Sequence, residues 1–226
     1  MSNQTKSEER KQRILDAALK VFADKGFQDA TIAAIARRAR VSEGTIYEYF
    51  SSKENLLFHI PKAFTDRYGE VVRFHIELIK GAANRLRAMV YMYLHMWKHY
   101  PDYAVLNLVI LKTNHKFRET EGYRLIREGF QAITKIVQEG VDNGEFRPDI
   151  DPYIIRSVLM GAVDHVTVNW LLSDRKRDLL ATVDPIVDVV MEGILSSETP
   201  AAEAPRPHWS RRRRPGTPRP RKPKGD

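Results

Sequence analysis

Between Thr31 and Phe50 the chain reads TIAAIARRARVSEGTIYEYF, and this stretch decides the fold. Two short segments, Thr31 to Arg38 and Ser42 to Tyr49, each open on a hydroxyl residue that can cap the free amides of a first helical turn. Neither is long enough to be stable alone in water. Ile32, Ile35 and Ala36 give the first segment a small apolar face, Ala39 and Val41 fill a corner, and Ile46 and Phe50 form the inner face of the second. Small side chains at Ala36 and Ala39 let the two helices cross closely. The pattern predicts a helix-turn-helix, a motif whose second helix enters the major groove of DNA by its N-terminal end. Ser42, Glu43, Gly44, Thr45, Tyr47, Glu48 and Tyr49 then point away from the core toward a duplex.

The flanking sequence supplies helices for this motif to pack on. Ser7 to Asp24 places Ile14, Leu15, Ala18, Leu19, Val21 and Phe22 at three- and four-residue spacing, with Gly26 as a C-terminal stop. A longer helix starts near Ser52 and carries Leu56, Leu57, Ile60 and Phe64. Pro61 inside it predicts a kink or a break near Phe58. Helical periodicity returns over Asn84 to His99, Asp102 to Asn114, about Glu119 to Asp142, and Pro152 to Leu172. A last helix is predicted over Pro185 to Leu195, capped by Asp184 with Pro185 at its first position. Strand alternation is absent, so the fold class is all-α.

Composition limits the function classes. With no cysteine, disulfides and thiolate metal sites are excluded, which fits a reducing, cytoplasmic setting. The N-terminus is polar and no 18-residue uncharged run follows, so the chain reads as soluble and unexported, with no membrane partner. The formal net charge of +8 looks like a nucleic-acid signal. Yet nine Lys and Arg residues lie between Thr199 and Asp226, so the rest of the chain is nearly neutral and the motif must carry the DNA argument. Seven of the twelve prolines also fall in that tail, which cannot bury a core and is expected to be disordered. The chain has no H-E-x-x-H, Glu-x-x-His pair, P-loop or G-x-G-x-x-G run, so no enzyme, metal or cofactor chemistry is expected.

The run T-I-x-x-I-A-x-x-A-x-V-S-x-G-T-I-Y-x-Y-F-x-S-K-E-x-L resembles the DNA-binding signature of TetR-type regulators, and Ile14 to Phe22 followed by Lys25-Gly26-Phe27 resembles the helix before it. The resemblance implies that Thr31 meets backbone phosphate, that Gly44 and Thr45 approach bases, that Tyr47 and Tyr49 touch phosphate or base edges, and that Lys53 anchors a phosphate. Arg40 departs from the pattern, because the family usually has glycine in this turn. A left-handed Arg40 costs on the order of 1 kcal/mol and adds an expected phosphate contact. Ser42 and Glu43 complete the expected reading surface. Glu43 and Glu48 either accept from cytosine amino groups or point away.

The same resemblance implies a C-terminal bundle that binds an effector and forms a homodimer on a palindromic operator. Aromatic residues are dense between Lys80 and Ser173, and bundle core explains them as well as a cavity does. Tyr93, Trp97, Asn107, Ile110, Leu111, Asn114, Asp164, Thr167 and Trp170 are the candidate ligand contacts. Leu106 to Arg118, Gly129 to Gly144 and Met160 to Trp170 resemble, more loosely, the effector domain of FadR-type fatty-acid regulators, which respond to long-chain acyl-coenzyme A. Another hydrophobic or aromatic molecule, as in efflux control, is the alternative effector. Val158, Leu159, Val163, Val166, Ile186, Val189, Val190 and Ile194 are the candidate dimer patch. The expected organisation is a DNA-binding head over 1–53 with its motif at 31–50, a body over 54–197, and a basic Pro/Arg-rich tail over 198–226.

Overall fold

The computed structural model describes residues 3–195, and the expectations for the tail lie outside the described residues. Among these the protein is helical throughout, with one isolated antiparallel bridge between Phe146 and Leu195. The head is made of α1 (Asn3–Asp29), α2 (Ile32–Ala39), α3 (Glu43–Tyr49) and the start of α4 (Lys53–Glu77). The body adds α5 (Ala82–His99), α6 (Pro101–Val105), a π-helical turn (Leu106–Leu111), a 3-10 turn (Lys116–Glu119), α7 (Glu121–Asp142), α8 (Pro152–Leu172), a second 3-10 turn (Leu179–Thr182) and α9 (Val183–Ile194). The all-α expectation, with a helix-turn-helix head on a helical body, is borne out.

Local chemistry sets the helix ends. Gly26 adopts φ 72° and ψ 174°, which breaks the helical path of α1 before one more turn reaches Asp29. A β-carbon there would meet nothing within 4 Å, so the backbone angle is what requires glycine. Thr31, Ser42 and Ser52 each accept from the amide three residues on, at 3.1, 3.0 and 3.0 Å, and so start α2, α3 and α4. Helix α5 begins at Gly81, which has no side chain to cap it. Its first amides, Ala82 N and Ala83 N, donate instead to the Glu145 carboxylate at 2.7 and 2.8 Å.

Three expectations change. Helix α4 runs unbroken across Pro61, which is buried against the start of α7. Gly122 makes that approach possible, because a β-carbon there would stand 3.0 Å from the Phe58 carbonyl oxygen. The stretch expected as one helix from Asp102 to Asn114 is split into α6 and the π-helical turn. Helix α9 begins at Val183, with Thr182 as its cap. Asp184 lies inside its first turn and, with Asp188 at 2.6 Å, ion-pairs with Arg87, which joins α5 to α9.

One continuous apolar core runs from head to body, from Ile14 and Phe22 through Leu56 and Ile60 to Leu94, Val137, Val163 and Val187. Helix α4 belongs to both parts, so motion of the body around it is felt in the head.

Candidate nucleic-acid interface and effector core

The helix-turn-helix separates its residues as its spacing requires. Ile32, Ile35, Ala36, Ala39, Ile46 and Phe50 are buried. Thr31, Arg40, Ser42, Glu43, Gly44, Tyr47 and Glu48 are exposed, Tyr47 by 54%. Thr45 and Tyr49 are half-buried. The turn is left-handed at Arg40 (φ 58°, ψ 49°), and the Val41 amide donates to the Ala36 carbonyl at 3.1 Å, which closes the end of α2. The Tyr49 hydroxyl is hydrogen-bonded to Ser7 Oγ at 3.0 Å, which ties the second helix to α1. Around Gly44 a β-carbon would find only Ser42 Oγ, at 3.7 Å. Nothing within the protein therefore requires glycine at this exposed site. Arg37 and Arg38, exposed in the last turn of α2 beside Arg40, make the corner basic and lie outside the contact set expected from the sequence.

Lys53 is corrected. Its ammonium donates to the carbonyl oxygens of Phe27 (2.7 Å), Gln28 (3.2 Å) and Ala30 (2.8 Å), and lies 4.6 Å from the centre of the Phe27 ring. An ammonium has three donors, and all three are engaged. Lys53 closes the C-terminal end of α1, where orphan carbonyls favour a cation, and is not free to anchor a phosphate.

In the body, four of the nine candidate ligand contacts form a cluster of polar and aromatic side chains at the π-helical turn. Tyr93 and Trp97 come from α5, Asn107 from the turn and Asp164 from α8. Burial raises the Tyr93 phenol well above its ordinary pKa, with Tyr103 and Asp164 adding to the effect. Burial likewise raises Tyr103, opposed by the Asn107 side chain. Asn107 donates to the Tyr103 carbonyl at 3.2 Å, and Asp164 pairs with Lys112 at 2.5 Å. The Trp97 indole N–H is buried with no hydrogen-bond partner. A buried donor without a partner costs about 1–3 kcal/mol, and such groups are functional candidates. A single π-helical turn within a helical segment is also a frequent mark of a functional site.

The remaining candidates are placed otherwise. Leu111 and Ile110 belong to the π-helical turn itself, Leu111 buried and Ile110 half-buried as apolar core residues. Asn114 Oδ1 accepts from Lys116 N and Phe117 N at 3.0 and 3.3 Å, so it caps the 3-10 turn. The Thr167 hydroxyl donates to Val163 O at 2.7 Å within its own helix. The Trp170 indole donates to Arg177 O at 3.0 Å and ties down the loop after α8. These three polar groups have structural partners and are corrected as free ligand contacts. Tyr103 and Lys112 complete the cluster, and only the fold shows that their neighbours are Tyr93 and Asp164.

The dimer patch also divides. Val158 and Val189 are exposed, by 50% and 74%, alongside Tyr153, Ile154 and Leu172. Leu159, Val163, Val190 and Ile194 are instead buried in the protomer core.

A surface-presented helix-turn-helix on an all-helical body defines a DNA-binding transcription regulator. Its sequence matches the bacterial regulatory proteins of the tetR family over residues 14–60 and the C-terminal region of the YsiA-like protein over residues 64–193. The chain belongs to the TetR family of transcription regulators, with a C-terminal region of the YsiA-like type. It is 29% identical over 194 residues to the fatty acid metabolism regulator protein of Bacillus subtilis (strain 168), covering 80% of this chain and 94% of that one. It is similar in structure to the fatty acid degradation regulator FadR of Bacillus halodurans, with a TM-score of 0.75 and 26% identity over 81% of this chain and 95% of that one. FadR of Bacillus subtilis, solved in complex with stearoyl-CoA, shares the fold at a TM-score of 0.75 and 24% identity, over 80% of this chain and 98% of that one. Among the described residues no helix is long and apolar enough to cross a membrane.

Proposed function

We propose that the protein is a cytoplasmic, homodimeric, non-enzymatic repressor. A head over residues 1–53 grips a palindromic operator, and a body over 54–197 releases it on binding a long-chain acyl-coenzyme A. The match of residues 64–193 to the YsiA-like C-terminal region carries the effector reading, since a neighbour of that fold was solved with stearoyl-CoA. Thr31, Arg40, Ser42, Gly44, Thr45 and Tyr47, exposed or half-exposed on one motif, would contact the duplex, with Arg37 and Arg38 adding phosphate contacts. The exposed Val158, Val189, Ile154 and Leu172 supply an apolar face for a two-fold partner.

Release follows from shared side chains. The Tyr103 ring stacks on Phe64 of α4 at 3.7 Å between centroids and lies 5.8 Å from Trp97. A ligand that parts the Tyr93–Trp97–Tyr103 cluster therefore pushes on α4, whose first turn holds the head through Lys53. The equilibrium shifts only as far as the ligand prefers the state that cannot fit successive grooves.

The test is fluorescence anisotropy on an operator selected from random duplex, with stearoyl-CoA, free stearate and coenzyme A added separately. Stearoyl-CoA is expected to weaken binding by at least about tenfold, a coupling near 1.4 kcal/mol. Release by an uncharged apolar molecule and not by stearoyl-CoA would favour the alternative effector, which the unpartnered Trp97 donor serves equally well. Absence of any duplex preference would overturn the regulator reading itself.

A further inference from the structure

A cleft of about 230 Å³ opens where head meets body, between α1, α4 and the junction of α5 with α6, and it meets the Trp97 cluster only through Tyr103. Its wall is aromatic. The rings of Phe64, Tyr68 and Tyr100 lie 4.6 to 5.2 Å apart between centroids, and the Tyr100 phenol, hydrogen-bonded to that of Tyr68, is held above its ordinary pKa.

The charges around this wall are unequally satisfied. Asp16 accepts from the Gln12 amide at 2.8 Å, and Asp102 is ion-paired with Lys20 across the cleft. Both carboxylates thus have partners. Arg67 lies over the Tyr68 ring at 6.0 Å and forms no ion pair among the described residues. Asp102 is neutralised by Lys20, whereas Asp16 is held by a neutral amide and keeps its charge; Arg67 is the guanidinium of the cleft left free to pair, and it stands beside the aromatic wall. That combination recognises a flat ring bearing a carboxylate, the ring against Tyr68 and Tyr100 and the carboxylate on the fork of Arg67. The volume suits a single ring with a small substituent and is below the usual range for drug-sized ligands.

We propose that this cleft is a second effector site, distinct from the Trp97 cluster, and that it takes small aromatic carboxylates. Its occupant touches α1 of the head and α6 of the body at once, so binding there biases the joint between them without entering the body's core.

The test uses the full chain, with benzoate, 4-hydroxybenzoate, neutral benzyl alcohol and cationic benzylamine titrated by calorimetry and by saturation-transfer NMR. The two acids are expected to bind saturably, and the alcohol and amine at least about tenfold more weakly. Arg67→Gln, at an exposed position, is expected to lower benzoate affinity by a similar factor and to leave stearoyl-CoA binding unchanged. Tyr100→Leu is expected to weaken the acids as well. The proposal is overturned if neither acid saturates, if benzylamine binds as well as benzoate, or if Arg67→Gln binds benzoate like the parent. A stearoyl-CoA response lost or kept in the parent protein bears only on the acyl-coenzyme A reading.

Discussion

Replacing Lys53 by methionine separates a phosphate anchor from a helix clamp. The ammonium makes two short, partly buried bonds, to Phe27 O at 2.7 Å and Ala30 O at 2.8 Å, and a third, exposed one to Gln28 O at 3.2 Å. Hydrogen bonds to a charged group contribute about 1.5–3 kcal/mol each. One half-buried ammonium shared among three acceptors does not add them in full, and water takes over the exposed carbonyl. The ring contact with Phe27 adds about 0.5 kcal/mol. Methionine keeps most of the stem, so Lys53→Met is expected to destabilise the protein by about 2–3 kcal/mol. Urea unfolding followed by helical circular dichroism reads this directly. Operator affinity, measured on folded protein between about 50 and 200 mM salt, is expected to keep its salt slope, because no phosphate contact is lost. An unchanged urea midpoint together with a slope shallower by about 0.9 would refute the clamp and return Lys53 to the DNA.

Gly44→Ala is expected to leave stability equal or raise it by up to about 1 kcal/mol, since the site is open and alanine favours helix, while lowering operator affinity by anisotropy. Gly140→Ala acts the other way: its β-carbon would stand 2.2 Å from the Phe146 ring and 2.9 Å from Ala82 Cβ, so thermal or urea unfolding is expected to show a loss of about 1–3 kcal/mol. Glu145→Ala is expected to cost about 1–2 kcal/mol in the same assay, because it strips the cap from α5 while touching neither proposed site. Trp97→Phe removes a donor that has no partner in the fold; stability is expected to fall by less than about 1.5 kcal/mol, and effector affinity by about tenfold if the indole N–H bonds the ligand.

What the sequence discloses and what it withholds divide along the range of the interaction. Arg40 in a left-handed turn and the caps at Thr31 and Ser42 are legible because each depends on residues within a turn of itself. Helix α8 is legible to the residue, because Asp151 caps it and Pro152 opens it. The cap on α5 is not, since Glu145 is more than sixty residues from the amides it serves. The π-helical turn is hidden too. One residue added to a short apolar run leaves the helical spacing from Asp102 to Asn114 readable as an unbroken helix. Among the candidate ligand contacts, the sequence marks polar residues in apolar surroundings but not their partners. Thr167 and Asn114 find theirs in nearby backbone, and Asp164 finds Lys112 from another segment.

The regular helices and the irregular segment between them have different mechanical roles. Three contacts join α6 and its π-helical turn to the head, to α4 and to the cluster proposed to meet the effector. Asp102 pairs with Lys20 of the head, Tyr103 stacks on Phe64 of α4, and the half-buried Asn107 donates to the Tyr103 carbonyl. A long helix at this position would transmit a push but resist changing register, because each of its hydrogen bonds depends on the next. A five-residue helix followed by a π-helical turn has few such bonds to break. Closing the wide turn to ordinary helical bonding removes one residue from the register and turns the side chains before it relative to those after it. Two packings close in energy are what a ligand with modest differential affinity can choose between. On the proposed release mechanism, the irregular segment is the place where binding energy in the body is best converted into a new position for α4, and through Lys53 and the core below it, for the helix that meets DNA.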